Sequence, residues 1–209
     1  MIPRMSASLA PDPLTARAAA KRRVRAAVRA HRTARSAAAR ASAAAALSAQ
    51  LIALVEASGA RRVTCYLATP EEPDPSGFLV WAAEHGVEVL LPVSLADRTL
   101  AWVRAGEGAP VPGRHGILEP VGPRLPASAA GSADLLLIPA CAIDRAGTRL
   151  GWGLGYYDRC LAGLAQRPPV YAVVFAEDRV AGLPRDPHDV PVTGVVTPAG
   201  IGRFPAETG

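Results

Sequence analysis

Three glycines at alternate positions, Gly151, Gly153 and Gly155, lie in the segment RLGWGLGYYD at residues 149–158. Glycine permits backbone conformations that other residues avoid, and it lets a ligand approach the backbone amides closely. The helical pattern that begins at Tyr156 would add free N–H groups and the positive end of a helix dipole. The spacing therefore predicts an anion cradle, and a phosphate-bearing ligand is the one it fits best.

Charged residues flank these glycines on both sides. Arg149 offers the two-pronged guanidinium that binds phosphate, and Asp158 is a hard oxygen ligand of the kind that Mg²⁺ prefers. The segment lacks the Gly-Lys-Ser/Thr ending of a P-loop and the glycine offset of the dinucleotide-binding motif. The alternative is a glycine-rich connection that serves only the path of the chain, and the flanking charges weigh against it.

A second set of cations repeats at helical spacing near the N-terminus, at Lys21, Arg25, Arg29 and Arg32. On a helix these side chains share one face, from which they would reach a polyphosphate at the glycine loop. A solvated charged face is the alternative. A nucleic-acid-binding role would need aromatic or polar base-reading residues among the charges, and the neighbouring alanines supply none, so we expect no specific nucleic-acid partner.

Two acidic segments stand beside predicted strands. Glu72 lies in an acidic loop after the strand predicted over 62–68, where a ligand could meet its carboxylate. His188 and Asp189 precede the strand predicted over 192–197, and either residue could serve as a metal ligand, a proton shuttle or a cap. Taken alone, the acidic loop is more typical of solvated residues, and the pair at 188–189 is more typical of a cap.

The elements that must position these residues follow a βα alternation. Residues 15–58 are rich in alanine and arginine, contain no glycine or proline, and predict two helices with a break near Ser36. The remaining predicted strands cover 62–68, 87–93, 99–104, 134–143, 170–175 and 192–197, and the remaining predicted helices cover 77–84 and 156–164. This order indicates an α/β fold, with a mostly parallel sheet and helices on both faces.

The chain of 209 residues, 50% of them hydrophobic, is long enough to bury one substantial core. We expect a single domain over 15–203, with loosely ordered segments at 1–14 and 204–209. Residues 105–131 are rich in glycine, proline and serine, and predict an extended surface excursion. The ligands of such a sheet gather outside the carboxyl ends of its strands, and the glycine loop is predicted to follow one of those ends.

Composition narrows the function classes. The net charge of +5 and the pI near 9.6 suit an anionic ligand. Three cysteines without a C-x-x-C pair disfavour a disulfide framework and a zinc site, so we expect a reducing, cytoplasmic compartment and small buried thiols. With no run of about 18 apolar residues and no apolar segment before Pro13, we expect neither a membrane span nor export.

Several motifs of this sequence, taken in order along the chain, resemble those of a known enzyme family. The loop at 149–158, preceded by DLLLIP at 134–139 and DRAGTRLG at 144–151, resembles the signature of 5-formyltetrahydrofolate cyclo-ligases, also called methenyltetrahydrofolate synthetases. Supporting pieces occur in the family's order, namely KRRVR at 21–25, YL at 66–67 followed by Glu72, GILEP at 116–120, LP at 183–184 and HDVP at 188–191. The resemblance extends over residues 21–197.

The resemblance implies an ATP- and Mg²⁺-dependent enzyme that converts 5-formyltetrahydrofolate to 5,10-methenyltetrahydrofolate. In that chemistry ATP phosphorylates the formyl oxygen, N10 of the folate attacks the activated carbon, and phosphate departs as the ring closes. The implied partners are small molecules, with no membrane, and we expect a monomer. Phosphoryl transfer of this kind asks a protein mainly for positioning and charge neutralisation.

The resemblance also implies residue roles. The implied ATP-binding residues are Lys21, Arg25, Arg149, Leu150, Gly151, Trp152, Gly153, Leu154, Gly155, Tyr156 and Tyr157, with Lys21 and Arg149 also acting in catalysis. The implied folate-binding residues are Leu67, Glu72, Trp152 and Tyr156, and the implied Mg²⁺ ligands are Asp158 and Asp189. The flat faces of Trp152 and Tyr156 would pack on a substrate ring.

The sequence also departs from the family pattern. Leu154 stands where the family usually carries Gly or Lys, and Asp178, Asp186 and Thr193 stand where it commonly has Gln, Glu and Asp. These departures support an alternative of another class. In it the chain is a non-catalytic, folate- or nucleotide-binding relative that keeps the fold and the cradle without turnover.

Overall fold

The computed structural model describes residues 12–186 and 190–205 of the chain. Its helices are α1 (Pro13–Thr33), α2 (Ala37–Ser58), α3 (Ser76–Glu84) and α4 (Tyr156–Ala162). Its strands are β1 (Arg62–Thr64), β2 (Glu88–Ser94), β3 (Leu100–Arg104), β4 (Val111–Pro112), β5 (Leu118–Glu119), β6 (Leu135–Pro139), β7 (Ala142–Ile143), β8 (Arg149–Leu150), β9 (Val170–Val173), β10 (Gly194–Thr197) and β11 (Gly200–Arg203).

The central sheet has seven strands in the order β11-β10-β9-β6-β1-β2-β3. The five inner strands run parallel to one another, and only the edge strands β3 and β11 are antiparallel to their neighbours. The prediction of a mostly parallel α/β sheet is confirmed. The last edge strand, β11, was not predicted, because its GIGR segment shows no strand-like pattern.

The two N-terminal helices are confirmed, with the break at the predicted place. The Ser36 side chain accepts a hydrogen bond from the Ala39 amide at 3.1 Å, which caps the start of α2. Gly59 adopts a left-handed conformation with φ 66° and ends α2. Helix α1 begins with Pro13 in its first turn, so residues 13–14 of the segment predicted to be loose are helical, while residues 1–11 lie outside the described part.

Helices cover both faces of the sheet, as predicted. Helices α2 and α3 pack on one face, where Leu47 and Leu51 meet sheet residues such as Leu137 in a core with no solvent exposure. Helix α4 packs on the other face through Cys160 and Leu161. All three cysteines are free and buried, and burial raises the pKa of the Cys65 thiol to about 12, which fits small buried hydrophobes.

Helix α2 is long and apolar enough to cross a membrane when judged by length and composition alone, with a mean hydropathy of 1.5. Its leucine and valine side chains pack into the core, while alanines supply much of the remaining hydropathy. Of that apolar window, 28% is buried inside the protein.

The strand predicted over 134–143 is divided in the structure. The chain leaves the sheet after β6 and forms a separate antiparallel hairpin from β7 and β8. The Asp144 side chain produces the turn, because its Oδ1 accepts hydrogen bonds from the amides of Ala146 and Thr148 at 2.9 Å each. The glycine loop therefore follows β8 of this hairpin, not a strand of the central sheet.

Helix α1 packs on that hairpin at the carboxyl edge of the sheet. Val28 of α1 joins Cys141, Ala142 and Leu150 in a small buried cluster, with Trp152 packed at its side. The predicted excursion at 105–131 contains the short ribbon β4-β5 and two 3₁₀ turns. The hairpin, helix α1 and the ribbon together surround the carboxyl ends of β1, β2 and β6, where a ligand site is expected.

Candidate functional site

The glycine loop at 151–155 makes a sharp turn between β8 and α4. Gly153 has φ 103° and Gly155 has φ 71°, conformations that side chains other than glycine rarely adopt. A Cβ atom at Gly155 would also lie 2.8 Å from an Arg159 guanidinium nitrogen. Between them Leu154 is 40% exposed, so the loop presents an apolar side chain at its tip.

A cavity of about 850 Å³ empty volume, counted with its open mouth, lies beside this loop. It is lined by Tyr66, Leu67, Glu72, Pro92, Ser94, Leu100, Ile117, Leu118, Glu119, Pro139, Arg149, Gly151, Trp152, Leu154, Gly155, Tyr156, Tyr157 and Asp158. These residues come from the carboxyl ends of β1, β2 and β6, from the ribbon β4-β5, and from the glycine loop with α4. The cavity therefore occupies the place at which open α/β sheets bind their ligands.

All four predicted folate-binding residues, Leu67, Glu72, Trp152 and Tyr156, line this cavity. The Glu72 carboxylate is held in place, because its Oε2 accepts hydrogen bonds from the Thr69 amide at 3.0 Å and the Thr69 hydroxyl at 3.1 Å. The Tyr156 hydroxyl donates to the Leu95 carbonyl at 3.2 Å. These bonds orient both side chains before any ligand binds.

Of the eleven predicted ATP-binding residues, seven line the cavity, while Lys21, Arg25, Leu150 and Gly153 do not. The seven that line the cavity are Arg149, Gly151, Trp152, Leu154, Gly155, Tyr156 and Tyr157. Leu150 is buried beneath α1, with its carbonyl bonded to the Cys141 amide at 2.8 Å. Lys21 and Arg25 stand on α1 and are not among the residues that line the cavity.

The cations of α1 engage the glycine loop and the 183–186 segment. The Arg25 Nε donates to the Gly151 carbonyl at 2.8 Å, which ties the helix to the loop. Lys21 Nζ and Arg17 Nη1 each lie 2.7 Å from the Asp186 carboxylate, and they hold its pKa at about 2. The guanidinium of Arg29 lies 5.4 Å from the centre of the Trp152 ring.

Arg32, grouped in sequence with the phosphate-reaching cations, is a buried structural residue. Its side chain is fully buried and donates to Asp178 Oδ2 through Nη2 at 2.7 Å and Nε at 3.1 Å. Its Nη2 also reaches the carbonyls of Ala140 and Cys141 at 2.9 Å and 3.1 Å. Spacing on a helix could not reveal this role, because the acid that pairs with Arg32 is 146 residues away in sequence.

Arg149 and Asp158 form an ion pair at the cavity wall. The Arg149 side chain is 4% exposed and that of Asp158 is 35% exposed. The Arg149 Nε is buried without a hydrogen-bond partner in the described part of the chain, so the guanidinium keeps donor capacity for a ligand. The pair also fixes the direction of the guanidinium towards the start of α4.

The predicted metal ligands fit Mg²⁺ only in part. Asp158 presents a partly exposed carboxylate next to the cradle, while Asp189 lies outside the described residues. Among residues 12–186 and 190–205, no group of three or more His, Cys, Asp or Glu side chains could hold a metal ion. Mg²⁺ commonly binds through one or two carboxylates, water and substrate phosphates, so a single described carboxylate is compatible with it.

Two buried tyrosines form part of the cavity wall. The Tyr66 hydroxyl donates to the Pro73 carbonyl at 2.5 Å. The Tyr157 hydroxyl is buried and has no hydrogen-bond partner among the described residues. Burial, assisted by the negative charge of Glu72, raises the pKa of both hydroxyls, so each remains a protonated donor.

Sequence reasoning missed the ribbon side of the cavity. Ile117, Leu118 and Glu119 line it, although the GILEP segment received no role from its pattern. Ser94 was also missed, yet it is the last residue of β2, and the carboxyl end of a parallel strand is a detectable signal. No comparable signal marks the ribbon, because its two strands have two residues each.

Comparisons with known proteins agree on one family. The model of the 5-formyltetrahydrofolate cyclo-ligase family matches residues 17–198. A 5-formyltetrahydrofolate cyclo-ligase of Mycolicibacterium smegmatis is 41% identical over 143 residues, covering 66% of this chain and 74% of the relative. A 5-formyltetrahydrofolate cyclo-ligase of Mus musculus is 37% identical over 70 residues, covering 32% of this chain and 34% of the relative.

Solved structures show the same fold. The 5,10-methenyltetrahydrofolate synthetase of Aquifex aeolicus superposes with a TM-score of 0.74 at 27% identity, covering 90% of this chain and 95% of the other. A 5,10-methenyltetrahydrofolate synthetase from Mycoplasma pneumoniae superposes with a TM-score of 0.69 at 18% identity, covering 85% and 98%, and supports the fold alone.

Proposed function

Because the chain belongs to the 5-formyltetrahydrofolate cyclo-ligase family, we propose that it closes 5-formyltetrahydrofolate to 5,10-methenyltetrahydrofolate at the cavity, with ATP as co-substrate and Mg²⁺ as cofactor. The family membership makes the chain an enzyme of folate metabolism that acts on small molecules. The co-substrate, the metal and the reaction path below are parts of the proposal.

The observation that carries the proposal is the separation of charge between the cavity lining and helix α1. Carboxylates of Glu72 and Glu119 line the cavity, and the one cation among its lining residues, Arg149, is paired with Asp158. The α1 cations Lys21 and Arg25 do not line the cavity, and Arg25 is bonded to the Gly151 carbonyl of the glycine loop. A triphosphate would be repelled by the carboxylates and attracted by the α1 cations, while a heterocycle rich in N–H groups suits the carboxylates.

We assign the folate to the cavity. The Glu72 carboxylate keeps lone pairs beyond those used by Thr69, so it can accept hydrogen bonds from the N–H edge of the pterin. Leu67 supplies apolar contact, and the ring faces of Trp152 and Tyr156 pack on the pterin or aminobenzoate ring. The formyl group then lies towards Arg149.

We assign the ATP phosphates to the glycine loop between Arg149 and the cations Lys21 and Arg25. Lys21 is held by Asp186 in the structure, and an incoming phosphate would compete with that carboxylate for its ammonium group. Asp158, with Asp189 as the second ligand of the proposal, would hold Mg²⁺. The metal would neutralise phosphate charge and so favour attack at the γ-phosphorus.

The residues of this chain act mainly by positioning. The formyl oxygen attacks the γ-phosphorus and ADP leaves; N10 then attacks the formyl carbon and loses its proton to water, and phosphate departs with that oxygen as the ring closes. The Arg149 guanidinium stabilises the charge on the transferred phosphoryl group, and Glu72 holds the pterin so that N10 faces the formyl carbon. Holding reactants in line in this way contributes on the order of 7–11 kcal/mol to well-oriented reactions.

The experiment that tests the proposal follows the absorbance of methenyltetrahydrofolate after purified protein is mixed with 5-formyltetrahydrofolate, ATP and Mg²⁺. Product formation that stops when ATP or Mg²⁺ is omitted supports the proposal. Folded protein that binds 5-formyltetrahydrofolate without forming product contradicts it, and supports the non-catalytic relative instead. In that case the exposed Leu154, at the tip of the loop, is the first residue to revert to glycine.

We also propose a monomer that works in a reducing, cytoplasmic compartment. The three free, buried cysteines, none of which forms a disulfide, support the reducing compartment. Light scattering of the purified protein would measure the oligomeric state, and a mass of two chains would contradict the monomer.

A further inference from the structure

We propose that Glu119 is a second substrate-binding carboxylate of the cavity, which accepts hydrogen bonds from the N–H groups of the reduced pterin ring and so selects for that ring. The inference rests on the proposed function and adds the ribbon β4-β5 to the substrate site. It concerns a residue whose motif, GILEP at 116–120, has no role in the proposed reaction.

The position of Glu119 supports this role. It ends β5, and its side chain extends from the ribbon to the edge of the central sheet, where Oε1 accepts a hydrogen bond from the Ser94 amide at 3.1 Å. Both Glu119 and Ser94 line the cavity. Among the described residues no other hydrogen bond engages the carboxylate, so Oε2 keeps its lone pairs for a ligand.

The ribbon is shaped around this side chain. A Cβ atom at Gly113 would lie 2.3 Å from both Cγ and Cδ of Glu119 and 2.7 Å from its Oε2. Any larger residue at 113 would therefore displace the carboxylate. Gly113 leaves the space that the Glu119 side chain occupies, and the hydrogen bond from the Ser94 amide fixes the direction of the carboxylate at the cavity wall.

The charges around the cavity show what Glu119 would bind. The lining contains three carboxylates, of Glu72, Glu119 and Asp158, and one cation, Arg149, which is paired with Asp158. Among the described residues no cation forms an ion pair with Glu119. A partly buried carboxylate without a cation needs N–H donors, and the 2-amino and ring N–H groups of a reduced pterin provide several.

The test uses Glu119→Gln, because glutamine keeps an oxygen that can accept from the Ser94 amide while it removes the charge. Binding of 5-formyltetrahydrofolate is measured by equilibrium dialysis without ATP, and Glu107→Gln, an exposed acid of the same excursion, is the matched control. We expect the Kd of Glu119→Gln to rise about tenfold or more, as for the loss of a hydrogen bond to a charged group, while Glu107→Gln binds like the unmodified protein.

A second ligand separates substrate contact from a structural effect. p-Aminobenzoylglutamate lacks the pterin ring, so its Kd should be the same for Glu119→Gln and the unmodified protein. Equal affinity of both proteins for 5-formyltetrahydrofolate would overturn the inference. Equal weakening of both ligands would overturn it too, because the ring would then not be what Glu119 binds. Both comparisons are made below the thermal midpoints of both proteins, so that a loss of stability does not decide them.

The two proposals fail in different ways. If the unmodified protein forms product with ATP and Glu119→Gln binds the folate unchanged, only the role of Glu119 is wrong. If the unmodified protein binds the folate without ATP-dependent product, the proposed reaction is wrong while the binding comparison still tests Glu119.

Discussion

The cavity lining and helix α1, both of which contact the glycine loop, differ in charge. On the α1 side, Arg25 is bonded to the Gly151 carbonyl and Lys21 to the Asp186 carboxylate. On the cavity side, Glu72 and Glu119 are held by backbone amides and, for Glu72, by the Thr69 hydroxyl as well. Helix α1 thus presents cations on a single long element, and the cavity lining presents carboxylates from the loop after β1 and from the end of β5.

This difference teaches how one short loop can serve two ligands of opposite character. Like charges repel strongly where water is partly excluded, so in the proposed reaction a triphosphate would be directed to the α1 cations and a donor-rich heterocycle to the cavity. Arg149 stands next to the glycine loop, where it lines the cavity and pairs with Asp158 at the start of α4. In the proposed reaction the phosphoryl group would pass Arg149 as it is transferred from ATP to the folate.

The largest expected effect concerns the anchor of α1. Asp178→Ala should lower the free energy of unfolding by about 3–5 kcal/mol, because Arg32 would remain buried without its carboxylate. Urea unfolding measures this loss. The neighbouring Glu177→Ala breaks only an exposed pair with Arg35 and should cost no more than about 1 kcal/mol. Equal losses in the two variants would show that the α1 side is not anchored by the buried pair.

The role of Arg149 in the proposed reaction is tested by Arg149→Ala. The variant should lower kcat/KM for ATP-dependent cyclisation by about 10²–10³, the effect of removing one group that stabilises transition-state charge. Steady-state kinetics measure it, with circular dichroism to show that the fold is kept. The control is Arg145→Ala, an exposed arginine in the turn of the same hairpin. Unaltered turnover in Arg149→Ala would contradict the mechanism.

The cavity side is tested by Glu72→Gln. The KM for 5-formyltetrahydrofolate should rise about 10–100-fold while the KM for ATP stays unchanged, because a charged hydrogen-bond acceptor is lost only on the folate side. Glu71→Gln is the matched control, since Glu71 is not among the residues that line the cavity and faces Arg29 at 4.0 Å. A rise in the KM for ATP instead would reverse the assignment of the two sides.

The α1 side is tested by Lys21→Ala in the same assay. We expect the KM for ATP to rise about tenfold with little change in the KM for the folate, as for loss of one charge-assisted bond to phosphate. Arg22→Ala, an exposed cation on the next residue of α1, should behave like the unmodified protein. If Lys21→Ala changed only the folate KM, the separation of charge would not describe the binding sites.

The smallest effect is a pH dependence on the α1 side. Arg17 and Lys21 hold the pKa of Asp186 at about 2, below its ordinary value, so the pair stabilises the fold above about pH 4. That contribution disappears as the pH falls towards 2. Because the pair is partly exposed, we expect Asp186→Asn to be only about 1 kcal/mol less stable at pH 5, with the difference vanishing near pH 2.

Urea unfolding at several pH values measures this difference between Asp186→Asn and the unmodified protein. Glu56→Gln, an exposed acid on α2, is the control and should show no such trend. A difference that persisted unchanged at pH 2 would mean that Asp186 stabilises the fold by some means other than its ion pairs.

The elements with strong local patterns were predictable. The two alanine-rich helices and their break at Ser36 follow from helix propensity and from a capping side chain, both of which act within a few residues. The parallel sheet follows from the alternation of apolar runs with helical segments. The division of the strand predicted over 134–143 was missed, because its hydrophobic run continues through β6 and β7 while the chain changes direction.

The candidate site was predictable only where a local motif marked it. The glycine loop and its flanking Arg149 and Asp158 stand out because their conformational and charge properties are visible in ten consecutive residues. Glu119 had no such mark, since its role depends on a ribbon that reaches the end of β2. Arg32 was misread for a similar reason, because a cation on a helix face has the same pattern whether water or Asp178 faces it.

The sequence by itself determined the family, the α/β alternation and the residue types of the anion cradle, because glycine conformation, helix propensity and hydrophobic period are local properties. Only the tertiary structure decided which charged residues line the cavity. It also decided that Arg32 is buried against Asp178 and that the ribbon closes one wall of the cavity. These outcomes depend on contacts between residues far apart in the chain, and no local pattern contains the distance between them.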